Sequence, residues 1–371
     1  MHVLVTGGAG FIGSHTVDAL LQRGDRVRIL DSLEKPVHLK GKPSYLPNDA
    51  EFILGDVRDK DTLTKSMMGV DHIIHLAAYQ DYLPDFSKFF YVNAVSTALI
   101  FEIILEKKLP IERVVVASSQ AVMGEGRYHC KHDGDVTPDI RPLEQLQRGD
   151  WEVKCPICNG TLMQVLSDET VINPQNQYAM SKYAQEMITI NLGRRYQIPS
   201  VALRYSIVQG PRQSFYNAYS GACRIFCLNL FFDRPPILYE DGGQIRDYIN
   251  IQDVVRAILL LLEDPRASYQ VFNVGGGKGY TVKEFAEIAI KVFGKNIEPI
   301  IPGEFRFGDT RHIFSDIDKL KSLGWEPKVP IEISVRDYIN YLQQQTDIDD
   351  IMDYARRKMK ELNVVQAVKS Q

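Results

Sequence analysis

The chain has 371 residues, 44% of them hydrophobic, which suffices for a sizeable core and for about two domains. A net charge of −4 gives no sign of the basic patch that favours nucleic acid or an anionic membrane, and no uninterrupted apolar run reaches the roughly 20 residues of a membrane span. Five cysteines do not make a disulfide framework in a chain of this size, and no signal peptide precedes the first apolar run, so we expect a cytoplasmic protein.

Short apolar runs alternate with amphipathic stretches along the first 200 residues or so. The runs predict strands at residues 3–5, 27–30, 51–54, 72–76, 113–117 and 200–203. The amphipathic stretches predict helices at residues 14–23, 93–107 and 178–195. Nearly continuous apolar runs are typical of parallel strands that are covered on both faces. The pattern therefore predicts a Rossmann-type, doubly wound α/β fold.

A glycine pattern follows the first predicted strand. Gly7, Gly10 and Gly13 are spaced three residues apart, immediately before the first helix. Glycines allow the tight turn, the approach of the backbone to a pyrophosphate and close helix–strand packing, and the helix N-terminus offers N–H groups to phosphates. Asp31 ends the second strand, where a carboxylate binds ribose hydroxyls and repels a 2′-phosphate. An ordinary tight turn is the alternative, but the context predicts a dinucleotide site that prefers NAD to NADP.

A possible catalytic set lies further along the chain. Tyr178 and Lys182 are four residues apart on a predicted helix and so share one face. An ammonium beside a phenol lowers the phenol pKa, so such a tyrosine can act as acid or base near neutral pH. Ser118 and Ser119 come directly after a strand, at the carboxyl edge where α/β sites assemble. Each feature alone is common, as a surface pair or a strand-end turn, but together they predict a Ser–Tyr–Lys site.

These motifs resemble those of the extended short-chain dehydrogenase/reductases that act as NAD-dependent nucleotide-sugar epimerases and dehydratases. The similarity covers about residues 1–330. It rests on segments that occur in the family's order at residues 6–13, 31, 55–57, 75–78, 118–119, 178–182, 203–205, 210–213, 242–248 and 306–309. Within the family, the chain is most similar to the dTDP-L-rhamnose 4-epimerase-like group, through a cysteine-bearing insertion and the run at residues 217–221, and to UDP-glucose 4-epimerase-like members.

The resemblance implies roles for individual residues. The implied catalytic residues are Ser119, Tyr178 and Lys182. The implied NAD contacts are Gly7, Gly10, Phe11, Ile12, Gly13, Asp31, Asp56, Val57, Leu76, Ala77, Ala78, Asn93, Ser118, Tyr178, Lys182, Tyr205 and Val208. The implied substrate contacts are Ser119, Gln120, Arg212, Asn217, Arg246 and Arg306. Arginine suits the diphosphate because its guanidinium pairs bidentately with phosphate oxygens, although surface salt bridges would be the reading of Arg246 and Arg306 without the flanking motifs.

The expected reaction depends on the two residues after Ser119. Dehydratases of the family carry an Asp-Glu pair there and decarboxylases a Glu, whereas this chain has Gln120 and Ala121. Without a carboxylate for elimination, the expectation is 4-epimerisation, by transient oxidation to a 4-keto sugar and re-reduction on its other face. Ile207 and Met123 replace the family's usual Asn and Tyr near the substrate and the nicotinamide, so the sugar and the carbon stay open.

Other functions remain open at this stage. The alternatives are a net NAD-dependent nucleotide-sugar oxidoreductase, an epimerase acting at carbon 2 or 3, and a non-catalytic NAD-binding scaffold protein. The intact Ser–Tyr–Lys set argues against the scaffold. The expected partners are a nucleotide-diphosphate sugar and a second copy of the chain, because helices 93–107 and 178–195 form a four-helix bundle across a two-fold axis in this family. No nucleic acid or membrane partner is expected.

Residues 125–172 interrupt the alternation and are rich in charge, proline and cysteine. Cys155 and Cys158 have the Cys-x-x-Cys spacing of a zinc knuckle, which points two thiolates at one ion. Cys130 would supply a third ligand and His132 or His129 a fourth, which gives a structural zinc site without an open position. Three unrelated surface cysteines and a redox pair are the alternatives.

These features predict the domain organisation. Residues 1–210 and 248–274 would form the NAD-binding Rossmann domain, with the zinc-binding insertion at residues 125–172. Residues 211–247 and 275–345 would form a smaller, discontinuous nucleotide-sugar-binding domain. Residues 346–371 would be a charged tail, expected as a surface helix with a frayed end.

Overall fold

A parallel sheet forms the centre of the computed structural model, which describes residues 1–216, 221–346, 348 and 350–369. The strands of the described residues, in this sheet and in three smaller ones, are β1 (His2–Thr6), β2 (Arg26–Asp31), β3 (Glu51–Leu54), β4 (His72–His75), β5 (Arg113–Ser119), β6 (Tyr128–Cys130), β7 (Gly134–Val136), β8 (Met163–Gln164), β9 (Ser200–Tyr205), β10 (Ile207–Gln209), β11 (Ile245–Asn250), β12 (Gln270–Val274), β13 (Gly279–Thr281), β14 (Glu304–Arg306) and β15 (Val365–Ala367). Within the described ranges, the central sheet has seven strands in the order β12-β9-β5-β4-β1-β2-β3.

Helices cover both faces of this sheet. The α-helices of the described residues are α1 (Phe11–Gln22), α2 (Lys60–Met67), α3 (Phe86–Phe89), α4 (Ser96–Lys107), α5 (Leu143–Gln147), α6 (Gln177–Tyr196), α7 (Ala222–Phe231), α8 (Ile251–Glu263), α9 (Val282–Phe293), α10 (Asp318–Lys321), α11 (Ile331–Gln343) and α12 (Met352–Glu361). Helices α1, α2, α4, α6 and α8 are among those that pack on the sheet. Successive residues of a strand point to opposite faces. In β1, Val3 and Val5 therefore pack with α1 and α8, whereas Leu4 packs with α2 and α4. The prediction of a doubly wound parallel α/β sheet is confirmed.

The helix predicted at residues 93–107 is longer in the structure. It runs from Phe86 to Lys107, and its middle, Phe90–Val95, is a π-helical turn, a feature that often occurs at functional sites. By length and composition alone, this 22-residue stretch could cross a membrane, although polar residues such as Lys88 and Asn93 interrupt it, so it is not an uninterrupted apolar run. However, 56% of its apolar window is buried within the fold, as in a core helix.

A smaller unit lies at the carboxyl edge of the sheet. It contains the three-stranded sheet β10-β11-β13 and the helices α7, α9 and α11, which pack around a second apolar core. β10 follows β9 directly and pairs in parallel with β11. The strand that carries Arg246 is thereby placed next to the end of the central sheet.

The insert, residues 125–172, has its own small sheet. β6 pairs with β7 on one side and β8 on the other, and a small buried group of Tyr128, Cys130, Val153, Cys155 and Leu162 lies behind it. Buried ion pairs tie the insert to the smaller unit, because Arg141 contacts Glu240 at 2.8 Å. The insert is therefore folded and anchored, as its length requires.

The described part of the tail contains a helix, as expected, and in addition a strand that was not expected. α12 is followed by β15, which pairs antiparallel with β14. The amino-acid sequence carries no clear signal for this strand. It is three residues long, only Val365 of the three is buried, and the surrounding tail is highly charged.

Candidate active site

A cavity of about 630 Å³ opens at the carboxyl ends of the central strands. It brings together most of the residues implied by the sequence. Its lining includes Gly7, Gly10, Phe11, Ile12, Gly13, Asp31, Asp56, Val57, Leu76, Ala77, Ala78, Ser118, Ser119, Gln120, Tyr178, Tyr205, Val208, Arg246 and Arg306. Parallel α/β sheets bind ligands at this edge.

The glycine loop can exist only with glycine at two of its positions. Gly7 has a φ of +67°, and a Cβ there would lie 2.7 Å from the backbone N of Ala77. A Cβ on Gly13 would lie 2.1 Å from the Gly7 carbonyl oxygen. The loop therefore packs closely against the backbone of the residues that follow β4, and the N-terminus of α1 lies at the cavity. A pyrophosphate site requires this arrangement.

Asp31 holds the same loop at its far side. Its two carboxylate oxygens accept hydrogen bonds from the backbone N–H groups of Ala9 (3.0 Å) and Leu33 (2.9 Å). Carboxylate oxygens have several lone pairs, so both can still accept a hydroxyl. Asp56 lies at the end of the neighbouring β3, and Arg58 beside it lowers the pKa of that carboxyl group. These carboxylates suit the hydroxyl and amino groups of an adenosine.

Lys182 lies directly beneath the cavity rather than in its lining. The side chain is buried, and Nζ donates to the Ala117 carbonyl (2.8 Å) and to Gln185 Oε1 (2.9 Å). Nζ lies 5.9 Å from the centre of the Tyr178 ring, which itself lines the cavity. Burial lowers the pKa of Lys182 to about 7, although the charge of Glu186 works against the shift. An ammonium has three donors, so one remains for a bound hydroxyl.

The two serines at the end of β5 have different surroundings. Ser118 Oγ is buried and donates to Glu186 Oε1 at 2.5 Å, so its hydroxyl is engaged within the protein. Ser119 Oγ accepts from the backbone N–H of Ala121 at 3.2 Å and lines the cavity half-exposed. Ser119 is therefore the serine whose hydroxyl can meet a substrate next to Tyr178.

The carboxylates of the cavity lie away from the serines. In the lining that the structure describes, Asp31, Glu34 and Asp56 lie at or beyond the ends of β2 and β3, and Asp309 is paired with Arg306 at 2.6 Å. Gln120 and Ala121 line the cavity beside Ser119. The side of the site next to Tyr178 thus has hydroxyl and amide groups for proton transfer and hydrogen bonding.

Two arginines extend the cavity into the smaller unit. Arg246 donates to the main-chain carbonyls of Ile245, Thr310 and Arg311, at 2.5 to 3.0 Å. Arg306 Nη1 donates to Tyr82 Oη at 2.9 Å. Both guanidinium groups are held in place by the protein, so they can bind a diphosphate with little loss of side-chain freedom.

Two further implied residues, Asn93 and Arg212, lie outside the described lining, and a third is not described by the structure. Asn93 is fully buried behind the cavity, where Oδ1 accepts from the Tyr79 N–H (2.8 Å), so it shapes the wall without lining it. Arg212 pairs with Asp18 at 2.7 Å, on the outer side of the glycine loop, and is absent from the described lining. Asn217 lies outside the described residues.

Several lining residues were not predicted from the sequence, among them Arg224, Gln244 and Tyr82. Arg224 is almost completely buried on α7, and burial lowers its pKa to about 10. A lone arginine within the apolar run of α7 was the signal for it. Gln244 and Tyr82 lie in loops and had no periodic signal.

Buried oxygen atoms in the lining indicate a polar ligand. Side-chain oxygens of Gln120, Tyr205, Gln213, Gln244 and Tyr248 are buried and have no hydrogen-bond partner among the described residues. Unsatisfied buried polar atoms are costly and rare. A ligand that carries many hydroxyl and amide groups would satisfy them.

A second group of possible ligands lies in the insert. The ligand atoms of Cys130, Asp133, Cys155 and Cys158 are all within 4.8 Å of one another. The fourth member differs from the sequence prediction: it is Asp133, His132 is not one of the group, and His129 Nδ1 pairs with Asp135 at 2.8 Å. The short turn between Cys130 and Asp133 brings the carboxylate, rather than either imidazole, to the thiols.

The chain is similar to known protein families and to individual proteins. Residues 3–145 match the NAD dependent epimerase/dehydratase family, and residues 160–338 match the GDP-mannose 4,6 dehydratase family. The chain is 32% identical to a dTDP-L-rhamnose 4-epimerase from Burkholderia thailandensis, over 93% of this chain and 96% of that protein. It is 31% identical to a UDP-glucose 4-epimerase from Halalkalibacterium halodurans, over 89% and 92% of the two chains.

Solved structures show the same similarity. A UDP-glucose 4-epimerase from Thermotoga maritima, solved with UDP-glucose, superposes with a TM-score of 0.76 and 28% identity, over 94% of this chain and 100% of that one. A UDP-glucose 4-epimerase from Thermus thermophilus, in complex with NAD, gives a TM-score of 0.74 and 29% identity, over 93% and 100%. The glycine loop, the Ser–Tyr–Lys arrangement and these relatives lead to one conclusion: the chain belongs to the NAD-dependent epimerase/dehydratase family.

Proposed function

We propose that this protein is an NAD-dependent nucleotide-sugar 4-epimerase. One observation carries the reaction type: Ser119 and Tyr178 share a cavity wall with Gln120 and Ala121, and the described carboxylates of the lining lie elsewhere or are ion-paired. A site of this composition can move a proton to and from a sugar hydroxyl, but the described lining has no carboxylate beside Ser119 for the elimination that a dehydratase performs. The net oxidoreductase and scaffold alternatives are not favoured by the relatives.

NAD fits the residues at the β1 end of the cavity. Gly7 and Gly13, where no larger residue fits, allow backbone N–H groups to approach a pyrophosphate. Asp31 would accept hydrogen bonds from the ribose hydroxyls. When bound, the cofactor supplies reversible hydride transfer at a ring carbon of the sugar. We assign NAD binding to residues 1–210 and 248–274.

The chain's own residues handle the proton and the position of the sugar. The Tyr178 oxygen takes the proton of a sugar hydroxyl and returns it, and Ser119 Oγ holds that hydroxyl by a hydrogen bond. Lys182, anchored by Ala117 and Gln185, presents its third N–H to the site from below. General acid–base catalysis by such a group contributes about 10²- to 10⁴-fold to a rate.

The substrate class is indicated by the far end of the cavity. Arg246 and Arg306 are suited to a diphosphate, and residues 211–247 and 275–345 would bind the nucleotide sugar. The relatives named above act on dTDP- and UDP-linked sugars, so both nucleotides are candidates. Carbon 4 is the position that these relatives share.

A panel of nucleotide sugars tests this function. The purified chain, with no added cofactor, is incubated with UDP-glucose, UDP-galactose and dTDP-L-rhamnose, and products are monitored by ¹H NMR. We expect inversion at carbon 4 of at least one sugar, retention of a deuterium label placed on that carbon, and no net NADH. Accumulation of NADH, or a requirement for added NAD in every turnover, would instead identify a net oxidoreductase.

We also propose a structural zinc ion held by Cys130, Asp133, Cys155 and Cys158. Zinc accepts sulfur and carboxylate ligands in a tetrahedron, and the separations, such as 3.5 Å between the sulfurs of Cys130 and Cys158, suit that geometry. Backbone N–H groups of His132 and Ile157 point at the sulfurs of Cys130 and Cys155, at 3.4 Å each. Such donors stabilise thiolates, so the site favours a cation.

A homodimer completes the proposal. The helical stretch from Phe86 to Lys107, which consists of α3, the π-helical turn and α4, packs on α6, and both stretches expose large apolar side chains. The exposed residues include Phe86, Tyr91, Val95, Met180 and Met187. An apolar surface on two adjacent helices suits a self-complementary, two-fold contact. With the long apolar helix buried against the sheet and in this contact, we expect a soluble, cytoplasmic enzyme of carbohydrate metabolism.

A further inference from the structure

Residues 352–369, which we call the C-terminal clamp, are attached to the strand that carries Arg306. β15 pairs antiparallel with β14, and the register places Val365 opposite Arg306. The pairing extends at both ends, where Phe307 N–H donates to the Val364 carbonyl (3.2 Å) and Val368 N–H donates to the Gly303 carbonyl (2.9 Å). Among the described strands, β15 is the sole sheet partner of β14.

The helix of the clamp adds side-chain contacts. Glu304, a mostly buried residue of β14, pairs through one oxygen with Arg356 (2.9 Å) and through the other with Lys360 (2.7 Å). Burial alone would raise the pKa of Glu304, but the two cations hold it below its ordinary value. The carboxylate therefore remains charged at neutral pH, and β14 is fixed by ion pairs as well as by its main chain.

The clamp also joins β14 to the insert. Lys369 N–H donates to the Gln147 carbonyl at 3.0 Å, and the buried ring of Phe305 packs against Trp151 with 5.9 Å between ring centres. The clamp and the insert therefore enclose β14 from two sides, and neither supplies a side chain to the described cavity lining at this point.

Arg306 leaves this enclosed strand and faces the cavity. Its guanidinium lies 5.2 Å from the centre of the Tyr239 ring and contacts Tyr82 and Asp309. Those contacts orient the end of the side chain, whereas the position of its Cα depends on β14. A guanidinium that is already in place binds a planar pair of phosphate oxygens better than one that must be ordered on binding.

We propose that the C-terminal clamp positions Arg306 for the diphosphate of the substrate. The inference rests on the proposed function in taking Arg306 as a diphosphate ligand. Arg356, Lys360 and β15 act through Arg306, so they are positioning residues. Loss of the clamp weakens binding of a nucleoside diphosphate and leaves NAD and the proton transfer at Tyr178 unaffected.

The test compares the full chain with Arg356→Ala/Lys360→Ala and with a truncation that lacks residues 352–371. Calorimetry gives Kd for UDP and dTDP, kinetics give KM and kcat, and acid extraction gives bound NAD. We expect Kd and KM to rise about threefold to tenfold in the double variant, since the two cations are partly exposed whereas Glu304 is mostly buried. The truncation should raise them about tenfold or more. In both, kcat should stay within about twofold of wild type and NAD content should not change.

A matched control variant and a double-mutant cycle with Arg306→Ala make the test specific. Lys358→Ala/Glu361→Ala removes an exposed pair from the same helix and should keep the wild-type Kd. In an Arg306→Ala background, the Arg356→Ala/Lys360→Ala change should cause no further loss. Additive losses, an unchanged Kd in the double variant, or no UDP or dTDP binding by the wild-type chain would each overturn the inference. Because the Kd is measured without turnover, a chain that binds UDP but epimerises no sugar would overturn only the proposed function.

Discussion

Glu186 and Arg204 form a buried, bidentate ion pair next to the candidate active site. Arg204 Nε and Nη2 donate to the two oxygens of Glu186, each at 2.8 Å, and Ser118 Oγ donates to one of them. One carboxylate therefore joins α6, β9 and the end of β5. The elements that carry Tyr178 and Ser119 are held together by this pair.

Breaking that pair should be strongly destabilising. Glu186→Gln leaves the Arg204 charge buried without its counter-charge, and we expect a loss of about 3–5 kcal/mol in the free energy of unfolding. Urea titration measures it. Glu106→Gln removes an exposed partner of Lys60 and should leave the urea midpoint unchanged. Equal midpoints for Glu186→Gln and wild type would contradict the role given to the pair.

Tyr178→Phe should abolish turnover and keep NAD. The ring still packs at the cavity, but the oxygen that moves the proton is gone, so kcat should fall by about 10² to 10⁴. Tyr183→Phe, on the same helix, is the control and should retain activity. NAD content after denaturation checks the cofactor. A variant that keeps most of its kcat would show that another group is the acid and base.

The zinc site should depend on Asp133 and not on His132. We expect about one zinc per chain in protein purified without added metal, and a large loss of zinc in Asp133→Asn and Cys155→Ser. His132→Asn and Cys227→Ser, which leave the cluster intact, should keep the metal. Elemental analysis is the measurement. Less than about a tenth of an equivalent in the wild-type chain, with all three thiols titrating freely, would rule the site out.

The free energy of unfolding should decrease in mild acid, because His75 binds a proton more readily in the unfolded chain than in the folded one. This buried imidazole contacts Thr6 Oγ1 (2.7 Å) and Ser96 Oγ (3.0 Å), and burial first, then the Lys182 charge, lowers its pKa to about 3. In the unfolded chain it binds a proton below about pH 6.5. Between these values the unfolded state holds more protons, so the free energy of unfolding decreases as pH falls below about 6.5.

Urea titrations at pH 5, 6 and 7 compare wild type with His75→Gln. The variant should be less stable at pH 7 and should show a shallower decrease toward pH 5, by up to about 1.4 kcal/mol per pH unit. Identical slopes in the two proteins would show that His75 does not carry the effect.

A charge on the exposed face of α6 should prevent dimerisation. We expect a dimer at micromolar concentration by light scattering and a monomer for Met187→Glu, because burying an unpaired carboxylate in an apolar contact is costly. Leu54→Glu places the same charge on an exposed apolar residue at the edge of β3 and should leave the mass unchanged. A monomeric wild-type chain would refute the dimer.

The fold and the placement of Ser119 and Tyr178 at one cavity were predictable, because they depend on local patterns. A strand covered on both faces must be apolar at nearly every position, as in β1, and Gly7 and Gly13 are required by contacts with neighbouring backbone. Arg212 and Asp133 were harder. Which way Arg212 points depends on Asp18 across the loop, and the choice between Asp133 and His132 depends on one turn. Neither is encoded in spacing.

The adjacency of β5 and β9 has a consequence for how the chain folds. β5 ends at Ser119 and β9 begins at Ser200, and the insert and α6 lie between them in sequence. The two strands nevertheless pair directly with each other in the central sheet. Pairing across so long a loop carries an entropic cost and is slow compared with local contacts. An insert that folded early around the proposed zinc ion would shorten the flexible segment between β5 and β9 before the two strands pair. Refolding of the sheet should then be faster when the metal is supplied from the start than when it is added afterwards.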